Sequence, residues 1–63
     1  MNVKTLVISR VGNGWLLSDS EGALCRSDNR YVLSDMLGYI RLHKEDTLEV
    51  LKSRFSQSCT FLR

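Results

Sequence analysis

Hydrophobic and polar positions follow two different periods along the chain, and the change of period divides it into two parts. Residues 3–11 alternate with a period of two and are rich in β-branched side chains, a pattern typical of a strand. Between residues 34 and 56 the apolar positions recur instead with the 3.6-residue period of a helix. The sequence therefore predicts strands in the first part and helix in the second.

The first strand is followed by the triplet Gly12-Asn13-Gly14. An Asn-Gly pair tolerates the positive φ angles that a tight hairpin requires, so Asn13-Gly14 is predicted to form the turn. The apolar residues that follow predict a second strand running from Trp15 to about Ser18. A phosphate-binding loop is not favoured, because neither a helix nor a Lys-Ser/Thr pair follows the glycines.

A second turn is predicted over residues 19–22, with Gly22 in a left-handed conformation before the third strand begins at Ala23. Residues 27–29 admit two interpretations, a third turn or a bulge within one longer strand that ends at residues 31–33. The favoured prediction is a three-stranded antiparallel meander with an irregularity near Asp28.

The helical segment is predicted to begin at a cap formed by Ser34 or Asp35. Its apolar side chains fall in one stripe on a helical projection. The stripe contains Leu37, Ile40, Leu48, Leu51 and Phe55.

Two features conflict with a single uninterrupted helix. Lys44 falls in the middle of the apolar stripe, and residues 46–49 resemble a capping box, which marks the start of a new helix. The segment is therefore either one long helix in which Lys44 extends its charge outward, or two helices broken near Glu45. The favoured prediction is one long helix, since the apolar phase is kept across the break.

Together these elements predict the fold class α+β, in which one C-terminal helix packs on the meander. Residues 1–63 are predicted to form a single small domain, since a chain of this length supports only one thin core. Residues 59–62 are predicted to form either a short edge strand or an apolar tail.

Composition excludes only a few classes of function. The formal net charge is +2 and the two signs are interspersed, which is too weak a bias to indicate nucleic acid binding. Cys25 and Cys59 are predicted to be reduced and at least partly buried, with a single disulfide as the alternative. Without a transmembrane stretch or a cleavable signal, the expected location is the cytoplasm, with no membrane partner.

Candidate chemistry is sparse. His43 is the one histidine of the chain, and its expected role is structural. Glu45 and Asp46 are neighbours in sequence, so on a helix they would not face each other and are expected to be solvated. No metal-ligand spacing or acid/base pair is found, so we expect neither an enzyme nor a cofactor or metal site.

Aromatic and basic residues on the predicted strands offer a nucleic-acid surface. Trp15 and Tyr31 could stack on bases while nearby arginines bind phosphate. Those arginines are Arg10, Arg26 and Arg30. The favoured alternative is that Trp15 belongs to the core and the arginines are solvated.

A second stripe of the helix adjoins the core face and contains Tyr39, His43, Val50 and Arg54, with Leu42 further round. Tyrosine and arginine are frequent anchors of protein interfaces. These four residues are the predicted partner-binding site, with a sheet that wraps around this edge of the helix as the alternative.

Residues 10–15 and 30–35, followed by the amphipathic helix, resemble many short open reading frames of bacteriophages and prophages, which combine an Asn-Gly hairpin, a strand ending in a Tyr-Val pair and a helix. The resemblance spans roughly residues 3–56 and supplies no functional residues. It implies a setting in which small proteins bind and inhibit host proteins, including anti-CRISPR and other anti-defence proteins.

The sequence thus leads to the hypothesis of a non-enzymatic phage-type protein that binds and inhibits a host protein in the host cytoplasm. A second copy of this chain is a further expected partner, in a homodimer. The alternative is a small nucleic-acid-binding regulatory module that acts as a dimer.

Overall fold

The computed structural model describes residues 3–63, so residues 1 and 2 of the predicted domain lie outside the description. A short 3₁₀ helix, Val3–Thr5, precedes three strands, two helices and a final short strand. Their bounds are β1 Val7–Val11, β2 Gly14–Asp19, β3 Gly22–Ser27, α1 Arg30–Leu42, α2 Leu48–Phe55 and β4 Thr60–Phe61. Within residues 3–63, neither helix has the length and apolar content needed to cross a membrane.

The four strands form one antiparallel sheet in the order β1-β2-β3-β4, and both helices contribute buried residues to the core. The α+β prediction is confirmed. The sheet has four strands rather than three, because residues 60–61 pair with β3. The edge-strand interpretation of the tail is therefore confirmed.

The first hairpin forms as predicted, but its first strand begins at Val7 rather than Val3, and its turn lies one residue earlier. Val11 pairs with Gly14, so the two loop residues are Gly12 and Asn13, and of these only Gly12 has a positive φ, of 59°. A positive φ at the first of two loop residues is the pattern of a type II′ turn, which suits glycine there. The assignment of the turn to Asn13-Gly14 is wrong.

Gly14 serves another purpose, a close approach between strands. A Cβ atom at this position would lie 3.2 Å from the Ser27 carbonyl oxygen and 2.8 Å from the Arg26 Nη2 atom. A side chain at Gly14 would therefore make a tight contact with the Ser27 backbone and displace the Arg26 guanidinium, whereas the backbone of Gly14 is not left-handed.

The second turn is confirmed. Ser20 and Glu21 form the loop, Gly22 has a positive φ of 117°, and the Glu21 amide donates to the Asp19 Oδ1 atom at 2.8 Å. Arg63 reaches this turn from the other end of the chain, with its Nη2 atom 2.6 Å from Asp19 Oδ1. The hydrogen bond from Arg63 holds the pKa of Asp19 below its ordinary value.

The expected irregularity near Asp28 lies elsewhere. The pairing of β2 with β3 shifts between Leu17 and Ser18, which leaves Leu24 as an extra residue in β3. A bulge interrupts the alternation of side chains. Leu24 and the next residue, Cys25, are consequently both fully buried.

Helix α1 begins earlier than predicted, since its cap lies five residues before Ser34, the first of the two predicted cap positions. Asn29 is its N-cap, and its side chain accepts a hydrogen bond from the Tyr31 amide at 2.9 Å. Residues 31–33, predicted to end a strand, therefore form the first turn of α1, and neither Ser34 nor Asp35 caps it. Leu33, buried with Met36 and Ile40, lies on the core face of the helix.

The prediction of a single helix over residues 34–56 is wrong, and the alternative, two helices broken near Glu45, is correct. His43 caps the end of α1, and Thr47 caps α2 by accepting a hydrogen bond from the Val50 amide at 3.4 Å. The break removes the conflict over Lys44, which lies exposed in the connection. Thr47 rather than Asp46 is the cap of α2. Glu49 lies within the first turn, where a negative charge stabilises a helix.

The core lies between the sheet and the helices. Its buried members are Leu17, Leu24, Cys25, Leu33, Met36, Ile40, Leu51 and Cys59. Both cysteines are buried and unbridged, as the favoured prediction had it. Burial, and after it the neighbouring Cys59 thiol, raises the pKa of Cys25 to about 12.

Candidate protein-binding site

Three of the four predicted partner-binding residues come together where α1 meets α2. The Tyr39 and His43 rings stack with their centroids 4.3 Å apart, one turn from each other on α1 and its cap. Arg54 of α2 places its guanidinium carbon 5.4 Å from the centroid of the Tyr39 ring. We call Tyr39, His43, Asp46, Arg54 and Phe55 the Tyr39 cluster.

The same ring is held from two more directions. The Tyr39 hydroxyl donates to the Asp46 Oδ2 atom at 2.6 Å, and the Phe55 ring meets Tyr39 edge to face at 5.5 Å between centroids. Contacts of this kind contribute beyond the area they bury. Tyr39 therefore joins α1, the connection and α2, and it is half-buried against the core.

The electrostatics of the Tyr39 cluster follow from these contacts. The hydrogen bond to Asp46 is the main reason that the pKa of Tyr39 is raised, because the bond requires the neutral phenol. Burial and the negative charges of Asp46 and Glu45 act in the same direction, and Arg54 opposes them. His43 lies 4.0 Å from the Glu45 carboxylate.

The outer part of the cluster is accessible. The side chain of His43 is 46% exposed, Arg54 is exposed, and Leu42, which precedes His43, is 81% exposed. Val50, the fourth predicted residue, is half-buried on α2, and its amide donates to Thr47. The ring contacts involve the other three predicted residues and not Val50.

Sequence reasoning missed Asp46, which it placed on a solvated face beside Glu45. The break between the helices turns this carboxylate toward Tyr39, and it is half-buried. The capping signal at residues 46–49 pointed to the break but not to the acceptor role of Asp46. Phe55 was assigned to the core stripe, and it does pack against the core while also contacting Tyr39.

The second surface that the sequence singled out is built around Trp15. The guanidinium carbons of Arg10 and Arg30 lie 5.2 Å and 5.4 Å from its ring centroid, so we call these three residues the Trp15 cluster. Arg26 instead pairs with Asp28 at 3.3 Å. Tyr31 is 74% exposed on the first turn of α1.

Trp15 does not lie on the face of the sheet turned away from the helices. It alternates in phase with buried Leu17, and it packs against the core while remaining partly exposed. The core interpretation of Trp15 is thus confirmed in part. Arg10 and Arg30 are exposed, and neither takes part in an ion pair among residues 3–63.

A polar cleft of about 330 Å³ lies between residues 26–29, where β3 leads into α1, and residues 56–60, where α2 leads into β4. Buried Ser27 joins its two sides, since the Ser27 hydroxyl accepts from the Asn29 amide and donates to the Ser58 carbonyl oxygen. Within the described part of the chain, no three side chains of the metal-ligating types come together. The cleft contains Arg26 but none of the four predicted partner-binding residues.

Comparison with protein-family models, with curated proteins and with solved structures finds no match to this chain.

Proposed function

We propose that this chain is a non-enzymatic protein-binding module that occupies a surface of a larger host protein and inhibits it in the host cytoplasm. The observation that carries the proposal is that Tyr39 holds His43 and Arg54 against its ring, next to exposed Leu42. The resemblance to small phage and prophage proteins supplies the host setting of the proposal, including the possibility of an anti-CRISPR or other anti-defence role.

The arrangement suits an interface because its side chains are already ordered. Binding normally costs side-chain freedom, and arginine loses much of it when it is fixed. Here the Tyr39 ring positions Arg54 and His43 before any partner arrives. An ordered arginine and an exposed leucine at the end of a helix combine the charged and apolar contacts typical of interface anchors.

The test replaces the accessible residues and spares Tyr39, whose contacts support the fold. A Leu42→Asp plus Arg54→Glu variant is expected to bind the partner at least 30-fold more weakly, as for the loss of a hot spot of about 2 kcal/mol. A Leu62→Asp plus Arg26→Glu variant is the matched control, since it makes the same chemical changes at two exposed positions, one in β3 and one directly after β4.

The measurement is retention of proteins from a nuclease-treated bacterial lysate on immobilised parent, variant and control. Titration of the purified retained protein against each chain then gives the affinities. Circular dichroism establishes that all three chains are folded. A partner that the control variant loses and the Leu42/Arg54 variant keeps would contradict the proposed site.

The second candidate function is a nucleic-acid-binding regulatory module that acts as a dimer, and the Trp15 cluster favours it. Two exposed arginines beside one aromatic ring suit a phosphate and a stacked base. For this function, affinity for a single-stranded oligonucleotide would fall steeply between about 50 mM and about 200 mM salt, and Arg10→Gln plus Arg30→Gln would abolish it. The protein-binding proposal expects no appreciable binding at physiological salt.

A further inference from the structure

The outer edge of β1 carries backbone groups that point away from the sheet. β1 is the first strand in the sheet order, and no strand of the described residues pairs with its outer side. Val11 and Gly14 close a two-residue loop, so they exchange hydrogen bonds, and the alternation of the ladder assigns Ser9 and Val7 to β2 as well. The N–H and C=O groups of Ile8 and Arg10 therefore point outward.

Natural sheets protect such edges with charged side chains, prolines, bulges or a covering segment. The bulge of this sheet lies between β2 and β3, and the chain contains no proline. β1 has one charge, Arg10, whose guanidinium lies over Trp15 on the neighbouring strand and donates from Nε to the Gly12 carbonyl oxygen at 3.3 Å. In this position the Arg10 charge lies over the neighbouring strand and not at the edge of β1, so it does not protect that edge from pairing with another strand.

On the face of the sheet turned away from the core, the side chains of β1 are symmetric about Ser9. Ile8 pairs with Leu17 and packs against the core, so Val7, Ser9 and Val11 lie on the opposite face of the sheet. The order Val-Ser-Val is the same in both directions along the strand. Val7 is 57% exposed and Val11 is 49% exposed, although both are large apolar residues in a strand.

From these observations we infer that two copies of this chain pair through β1, antiparallel and with a twofold axis at Ser9, to form one continuous eight-stranded sheet. In this register Val7 of each copy lies beside Val11 of the other, and small Ser9 lies beside Ser9. Ile8 of each copy exchanges backbone hydrogen bonds with Arg10 of the other, which uses all four outward groups on each strand. A closed twofold pairing also leaves neither β1 edge open to further chains.

The pairing region is short, five residues from each copy, and is smaller than the interfaces of stable complexes. The dimer is therefore reversible, with a dissociation constant on the order of tens of micromolar. It uses a different surface from the Tyr39 cluster. Loss of dimerisation and loss of host-protein binding are thus separable in experiment.

Two charge variants test both the pairing and its register. Val7→Lys plus Val11→Lys places two pairs of like charges across the twofold axis, whereas Val7→Glu plus Val11→Lys places two pairs of opposite charges there. Opposed like charges destabilise neighbouring strands and opposite charges stabilise them. The first variant is expected to dimerise at least tenfold more weakly than the parent, and the second at least as tightly as the parent.

Sedimentation velocity between about 5 µM and about 1 mM measures the three dissociation constants. Both positions are exposed, and circular dichroism checks that each variant is folded. The two variants differ only in the sign of one charge, so each serves as the control for the other. A parent that stays monomeric throughout this range, or two variants with equal constants, would overturn the inference.

A cross-link provides an independent measurement. In a Ser9→Cys variant the two new thiols lie side by side at the axis, and oxidised glutathione removes their two electrons and two protons, forming one disulfide between copies and two glutathione thiols. Ser20→Cys, in the exposed second turn, is the control. Although Ser9 is the more buried position, its variant should form covalent dimers at least tenfold faster on a non-reducing gel. Equal rates would contradict pairing at Ser9.

Discussion

Tyr39 and Trp15 each lie under an arginine, but the two clusters are completed in different ways. Around Tyr39 the positive charge of Arg54 is accompanied by Asp46, which accepts the phenol hydrogen bond, and by the rings of His43 and Phe55. Around Trp15 there are two arginines, and neither is in an ion pair among residues 3–63.

The comparison shows that the same pair of residue types, an aromatic ring and an arginine, can have different roles. The Tyr39 cluster joins two helices and the connection between them, so its contacts are partly structural. The Trp15 cluster joins β1, β2 and the first residue of α1, and its charges remain exposed. An aromatic residue with an arginine is therefore not by itself a sign of a binding site, and the remaining neighbours of the ring determine what the pair does.

The largest expected effect is the loss of the Tyr39 ring. Tyr39→Ala removes the stack, the edge-to-face contact and the hydrogen bond together, and the melting temperature should fall by roughly 10–15 °C. Tyr31→Ala is a matched control on the same helix, because Tyr31 is 74% exposed. Its melting temperature should lie within about 3 °C of the parent value.

Thermal unfolding followed by circular dichroism measures both variants. If the two tyrosines had equal effects, the Tyr39 cluster would not join the helices. Any loss of partner binding by a Tyr39 variant would then reflect the interface directly.

The parts of the fold that depend on local sequence, such as turns, could be predicted. Gly22 is required by a turn, and the second turn followed from it with the correct residues, although the strand after it ends at Ser27. Residues 31–33 were wrongly predicted to end a strand, because Tyr-Val-Leu favours that structure. The Asn29 cap and the burial of Leu33 stabilise a helix there instead. Burial is a property of the assembled core and overrides such preferences.

Three residues of the candidate site come together, but for a different reason from the one that the sequence suggested. Tyr39, His43 and Arg54 were grouped because they share one edge of a continuous helix, but they meet across a break between two helices. The agreement arises because α2 keeps its own apolar face toward the core. Asp46 could not be predicted, since its contact depends on the path of the connection and not on helical phase.

A smaller effect is expected at the Trp15 cluster. Arg10→Gln plus Arg30→Gln removes two exposed cation–π contacts, and the free energy of unfolding should fall by about 1 kcal/mol in total. Arg41→Gln, at an exposed position of α1, is the control and should leave stability unchanged within about 0.5 kcal/mol. Urea denaturation at low and high salt makes the measurement. A loss well above this value would mean that the arginines fix the position of Trp15 in the core.

The smallest expected effect is a change in the titration of Tyr39. Asp46 raises the pKa of Tyr39 by accepting its hydrogen bond, so Asp46→Asn should lower that pKa toward its ordinary value. Glu45→Gln should lower it less, because Glu45 acts only through its charge and is the weakest of the causes. The chain has two tyrosines, and in a Tyr31→Phe background the ultraviolet absorbance of the phenolate reports Tyr39 alone.

The same bond gives a pH dependence of stability with a definite sign. The pKa of Tyr39 is higher in the folded chain than its unfolded value of about 10, so the stabilisation is fully present below about pH 10 and is lost as the pH rises through the folded pKa. Asp46→Asn should flatten this alkaline loss relative to the parent in the same background. If Asp46→Asn and Glu45→Gln shift the titration equally, the hydrogen bond is not the cause of the raised pKa, and Asp46 would no longer distinguish the Tyr39 cluster from the Trp15 cluster.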